Sequence, residues 1–159
     1  MSRVDRYWAQ FLASLPEGSS KPDRFVEAFY FGTDPSRAHE ITPLVLAGAK
    51  TATGTLLWSI EADGKRPART GDHSIVTNGS DDPQCIIETL DVEITPFEEV
   101  GQDHARWGGE GDCTLGAWRE MYWSYIEDEC KRIGRKPDRM APLVMERFRV
   151  VYAEPLAGG

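Results

Sequence analysis

Apolar positions recur at helical spacing in the first fifteen residues, where Val4, Tyr7, Trp8, Phe11, Leu12 and Leu15 form one stripe. The pattern predicts an amphipathic N-terminal helix, an extension covering residues 1–20. PEGSSKPD then reads as a loop, and RFVEAFYFG alternates as a strand does. In DPSRAHEITPLVLAG, Asp34 can cap a helix, Pro35 suits its first turn and Gly48 is a C-terminal stop. Pro43 conflicts with one straight helix. It predicts a kink, or a second short helix capped by Thr42.

TATGTLLWSI is rich in β-formers and reads as a strand. HSIVT and QCIIETLDVEIT read as two more, joined through the turn NGSDDP. PFEEVGQDHARW predicts a short helix. TLGAWREMYWSYIEDECKRIG predicts a longer one, with Leu115, Trp118, Tyr122, Tyr125 and Ile126 facing inward and Gly134 as its stop. PLVMERFRVVYAE is a final strand whose Val144, Glu146, Phe148, Val150 and Tyr152 share a face, and the chain is expected to fray over 155–159. Helices mingle with about five strands without regular βαβ alternation. This predicts an α+β fold, a curled sheet or small barrel flanked by helices.

A chain of 159 residues, 40% hydrophobic, suits one domain over 1–159 with its own core. No apolar run is long enough to span a bilayer, and the N-terminus lacks a signal-peptide pattern, so no membrane partner and a cytoplasmic location are expected. Cys85, Cys113 and Cys130 are odd in number and widely spaced, as free thiols in a reducing compartment would be. The net charge of −8 opposes phosphate neutralisation along duplex DNA. It favours a small ligand or a short single strand. Lys65, Arg66 and Arg69, and Lys131, Arg132, Arg135 and Lys136, are local basic clusters that read as solvated faces.

The chemistry concentrates in two places. LAGAKTATGTLLWSI sets Lys50, Thr51 and Thr53 at the seam between a helix and a strand. Burial disfavours a charged amine, and a neutral lysine can take a proton from a threonine hydroxyl that then acts as nucleophile. A turn or bulge would let Lys50 and Thr53 converge. A solvent-facing lysine in a loop is the alternative, and spacing does not choose between them. The segment is neither a phosphate-binding P-loop nor a dinucleotide fingerprint, because the required glycines are absent. In HARWGGEGDCTLGAWR, glycines surround Glu110, while Asp112 reads as a helix cap. A carboxyl group in such a loop can approach a ligand closely and serve as a general acid. His39, His73 and His104 are scattered and form no zinc motif, so no cofactor is expected. Glu110 and Asp112 are the one pair that could hold a divalent metal.

FYFG, LVLAGAKTATGTLLW, GDHSIV, DPQCIIETLDVEITPFEEV, GGEGDCTLGAWR and LVMERFRVVY occur in the order found in ASCH domains. The chain resembles the longer bacterial branch of that family from about residue 25 onward. The resemblance implies a PUA-like fold, a small mixed β-barrel of five to six strands with flanking helices around a cleft, and a link to RNA. Among bacterial members it implies hydrolysis of the acyl amide of N4-acetylcytidine, with Lys50 as base, Thr53 as nucleophile and Glu110 as general acid. Thr51, Trp58, Trp107 and Arg119 are then expected to contact the substrate, a nucleoside or short single-stranded RNA. The alternatives are a metal-assisted ribonuclease using the same cleft, with Glu110 and Asp112 at the metal, and a non-catalytic RNA or nucleotide reader. Two departures stand out. Thr55 replaces an arginine of many small members, and Gly108 replaces the first glutamate of the longer branch's Glu-Gly-Glu-Gly-Asp.

Overall fold

A computed structural model describes residues 1–158. Five helices and five strands follow one another: α1 (Arg3–Ser14), β1 (Ala28–Phe29), α2 (Pro35–Leu46), β2 (Ala52–Leu56), α3 (Leu57–Ala62), β3 (His73–Thr77), β4 (Pro83–Pro96), α4 (Gln102–Gly108), α5 (Leu115–Ile133) and β5 (Pro142–Tyr152). A 3-10 turn at Phe97–Glu99 leads into α4. The fold is α+β, as the pattern implies. The strands form one sheet in the order β1-β3-β4-β5-β2, with β1 parallel to β3 and the β3/β4 and β2/β5 pairs antiparallel. β1 and β2 stand at the two ends of that order. The sheet is therefore open, and the expected closed barrel is corrected.

The chain divides into two compact units, and β4 and β5 each have residues in both. The first unit comprises Met1–Gly48, Gly71–Thr89 and the chain from Arg149 on. Its core joins Tyr7, Trp8 and Phe11 of α1 to Ile75 of β3 and Ile86 of β4. Asp34 accepts from the Arg37 amide at 3.0 Å and starts α2, which runs unbroken through Pro43. Thr42 starts no second helix; its hydroxyl donates to the Ala38 carbonyl at 2.7 Å, one turn back. Hydrogen bonds join α1 to the C-terminal segment. Tyr7 Oη donates to the Glu154 carbonyl at 2.7 Å, and the Ala157 amide donates to Gln10 Oε1 at 2.7 Å. Residue 159, the last of the expected tail, lies outside the described residues.

The second unit comprises Ala49–Thr70 and Leu90–Phe148 and holds both segments that carry chemistry. Its core gathers Leu56, Phe97, Val100, Trp118, Tyr122, Ile126, Leu143 and Met145. Phe97, Trp118 and Tyr122 stack in series, with centroids 5.8 and 4.4 Å apart. The β-rich run TATGTLLWSI ends as a strand at Leu56 and continues as α3, so Trp58 is helical. The outward amides of edge strand β2 are satisfied by α5. Gly54 N–H donates to Tyr122 Oη and Leu56 N–H to Tyr125 Oη, each at 3.0 Å. Alternate strand residues thus meet helix residues three apart, which closes an edge that would otherwise invite further pairing. Gly54 makes room for this. A Cβ there would lie 2.8 Å from Met145 Sδ and 3.1 Å from the Tyr122 ring.

Asp112 does not cap α5 directly. Thr114 is the N-cap, accepting from the Ala117 amide at 3.2 Å, and Asp112 Oδ1 accepts from the Thr114 amide and hydroxyl at 3.0 and 2.7 Å. Those bonds hold the Asp112 carboxyl below its ordinary range. The stability they add is full above about pH 4, where the unfolded carboxyl is also ionised, and fades as pH falls through the depressed folded value. Asp112→Ala is therefore expected to lower the melting temperature at pH 7 and to match the native chain most nearly in acid, which scanning calorimetry across pH would check.

Candidate active site

Gly48, at φ +76°, ends the helical segment, and Lys50 and Thr51 lead into β2. Both backbone groups of Thr51 are used. Its N–H donates to the Trp107 carbonyl at 2.7 Å, and its carbonyl accepts from the Phe148 amide at 3.0 Å. The seam is thereby fastened to the end of α4 on one side and to β5 on the other. Gly109 follows α4 in the left-handed conformation, at φ +67°, against the backbone of Ala49 and Lys50. Glu110 is thus carried to the seam by a loop that touches it.

The Lys50 side chain is turned inward, with 2% of the residue exposed. Nζ donates to the Ala52 carbonyl at 2.9 Å, to Glu110 Oε2 at 3.0 Å and to the Gly108 carbonyl at 3.3 Å. An ammonium has three N–H donors and no acceptor, and here each donor meets an oxygen. Such a setting suits an ammonium, with the Glu110 side chain, 10% exposed, as its acidic neighbour. Two carbonyls and the Glu110 carboxyl group replace the water lost on burial. The solvent-facing alternative is removed.

Thr53 is half-buried on β2, next to Gly54, whose amide donates to Tyr122 Oη at 3.0 Å. Burial pushes the Tyr122 phenol up to about 12, and the charge of Glu110 adds to the rise. The phenol therefore stays protonated. Lys50 and Glu110 are in direct contact, and the Glu110 charge is felt at Tyr122, whose hydroxyl meets β2 at the residue after Thr53. Tyr122 went unrecognised in the sequence because it falls on the apolar stripe of α5. The signal was its hydroxyl: a buried tyrosine needs a polar partner where phenylalanine would not.

The substrate-contact residues fare differently. Thr51 joins the site through its backbone. Trp107 borders it by its carbonyl, but one ring face is covered by the Arg147 guanidinium, 3.9 Å from the centroid, and His104 abuts the ring edge-on. Trp58 lies on α3 under the Arg135 guanidinium at 3.6 Å, and Arg119 is exposed on α5, reaching the Glu98 carbonyl at 3.4 Å. Neither is drawn to Lys50 by any described contact. Glu110 and Asp112, the pair considered for a metal, each have a protein partner of their own. One carboxylate faces an ammonium and the other its own helix cap, and among the described residues no group of three or more His, Cys, Asp and Glu could hold a metal ion.

Tyr122→Phe keeps the ring stacked on Trp118 and removes the hydroxyl. Leaving the Gly54 amide without an acceptor is expected to cost about 1–3 kcal/mol in urea unfolding. Tyr125→Phe should cost about as much through the Leu56 amide. If Tyr122 orients Thr53, only Tyr122→Phe should also lower kcat on a substrate of this site; equal kcat in the two variants would reduce Tyr122 to an edge cap.

The ASCH domain family model matches residues 27–152. The chain belongs to the ASCH domain family. Its structure is similar to the crystal structure of an ASCH domain from Lactobacillus crispatus JV V101, at 31% identity with a TM-score of 0.88, covering 94% of each chain. It is also similar to a crystallised protein from Enterococcus faecalis V583, at 25% identity with a TM-score of 0.84, covering 95% of this chain and 89% of that one. No curated protein sequence matches significantly. No helix among the described residues is long and apolar enough to cross a membrane.

Proposed function

We propose that the chain is an amide hydrolase that removes the acyl group from N4-acetylcytidine-type substrates, with Thr53 as nucleophile and the Lys50–Glu110 pair as base and acid. The observation that carries this reading is the buried 3.0 Å contact between Lys50 Nζ and Glu110 Oε2, at the entry to the strand that bears Thr53. One proton moving along that bond turns ammonium and carboxylate into neutral amine and carboxylic acid. Those are the forms that accept a proton from a hydroxyl and give one to a leaving nitrogen. Excluding water from the site on substrate binding disfavours separated charges and so favours this shift.

The steps balance. Thr53 Oγ1 bonds to the acyl carbon while its proton passes to Lys50. The tetrahedral adduct collapses by breaking the bond from carbon to N4, which takes the Glu110 proton. Cytidine leaves, the acyl group remains as a threonine ester, and the ion pair is restored. Water then cleaves the ester to release the acid and regenerate the hydroxyl. Each proton-transfer group is expected to contribute about 10²- to 10⁴-fold.

The test is incubation of the purified chain with N4-acetylcytidine, with chromatography for cytidine, beside Thr53→Ala. Release of cytidine by the native chain and not by the variant supports the reading, and no release by either removes it. Labelled single-stranded RNA, with and without chelator, separates the rivals. Chelator-sensitive cleavage identifies the ribonuclease, whereas RNA binding with no turnover of either substrate identifies the reader.

A further inference from the structure

Arg135, Arg139 and Arg147 lie over aromatic rings, and Arg147 differs from the other two in its buried, unpartnered Nε. Arg3, Arg37, Arg106, Arg132 and Arg149 each hold a carboxylate. No carboxylate pairs with Arg147 among the described residues, and its Nε is buried without a hydrogen-bond partner. An unsatisfied buried donor on a charged group calls for an explanation. The guanidinium is held flat on Trp107, and the Nδ1 of His104, against the edge of the same indole, is also buried and unpartnered. Burial holds the His104 imidazole below its ordinary range, against the pull of Glu93 and Asp103, so it is neutral at pH 7 and offers a hydrogen bond rather than a charge.

The position of Arg147 ties it to the candidate active site. It pairs with Ala52 across the β2/β5 ladder, and Ala52 supplies one of the carbonyls that hold Lys50 Nζ. Trp107, on which it lies, accepts the Thr51 amide. Stacking immobilises a guanidinium and leaves its in-plane N–H fork for an anion, and the fork matches the oxygens of a phosphate. We infer that Arg147, held on Trp107, is a phosphate-binding residue beside the Lys50 cluster, and that the substrate is a cytidine bearing a phosphate ester rather than the free nucleoside. The nucleoside in this statement rests on the function proposed above; the anion site does not. A phosphomonoester on a mononucleotide and a phosphodiester within a short oligoribonucleotide both supply the group.

The experiment compares kcat/KM of the native chain for N4-acetylcytidine, its 5′-monophosphate, and a short oligoribonucleotide containing the same base. A preference of about tenfold or more for a phosphorylated substrate over the nucleoside is expected, and whichever of the two is preferred identifies the source of the phosphate. In Arg147→Gln the ratio should fall to about one. Arg147→Lys, which keeps a charge but not the planar fork, should restore only part of it. Equal use of nucleoside and phosphorylated substrates, or a preference that survives in Arg147→Gln, overturns the inference. Binding of cytidine 5′-monophosphate against cytidine, by calorimetry on the same proteins, stands apart from turnover. If no acyl group is ever cleaved, tighter binding of the monophosphate that is lost in Arg147→Gln upholds the phosphate site while the hydrolase reading fails. Equal binding removes the phosphate site as well.

Discussion

Lys50→Ala is expected to destabilise the chain by about 3–5 kcal/mol and to abolish turnover of N4-acetylcytidine. The first effect follows from burial. Removing the ammonium leaves Glu110, with its side chain 10% exposed, without its opposing charge, and strands the Ala52 and Gly108 carbonyls. Breaking a buried pair from one side carries a penalty of about that size, because the remaining charge stays out of water after losing that partner. For a chain of this length it corresponds to roughly 6–20 °C in melting temperature. The second effect follows from the proposed base role and should exceed about 10²-fold in kcat/KM. The two can be separated. Lys50→Met combined with Glu110→Gln removes both charges and fills most of the space, so thermal stability should recover well above that of Lys50→Ala while turnover stays lost. Recovery of both would mean that the pair is structural. A Lys50→Ala chain that melts with the native one would mean that the lysine is not buried on its partner in solution.

What was legible in the sequence follows a physical line. Gly48 and Gly134 stop their helices because a left-handed turn is local chemistry, and Asp34 caps α2 for the same reason. Lys50 and Glu110 were readable as residue types in unusual settings, but their contact spans sixty positions and no local pattern encodes it. Burial alone speaks for a neutral amine, and the oxygens around Nζ speak for a charged one. The two carbonyls that stabilise the charge are backbone groups, invisible in a list of side chains. TATGTLLWSI shows the opposite failure: β-propensity runs through Ile60, while the structure turns to helix at Leu57. Arg147 was hidden in plain alternation. It shares parity with Leu143 and Met145, which are core residues, so an arginine there should have stood out.

Gly109→Ala is expected to be the most damaging change to a glycine near the site, and its neighbour supplies the control. Both Gly109 and Gly111 adopt positive φ, +67° and +62°. That conformation costs an alanine roughly 1–2 kcal/mol wherever it occurs. At Gly111 nothing lies within 4 Å of the added Cβ, so Gly111→Ala should show that cost alone. At Gly109 the Cβ would meet the Ala49 carbonyl carbon at 2.7 Å and the Lys50 nitrogen at 2.9 Å, with the Ala49 oxygen nearer still. These are backbone atoms, and no rotamer change relieves them. The loop must move off the seam, carrying with it the Gly108 carbonyl and the Glu110 carboxylate that hold Lys50 Nζ. Gly109→Ala should therefore lose about 2–4 kcal/mol in urea unfolding, above the strain of Gly111→Ala. It should also lose turnover out of proportion to stability, since an ion pair that acts as base and acid depends on its separation. If Gly109→Ala and Gly111→Ala proved alike in both measurements, the loop would be resting on the seam without positioning Glu110.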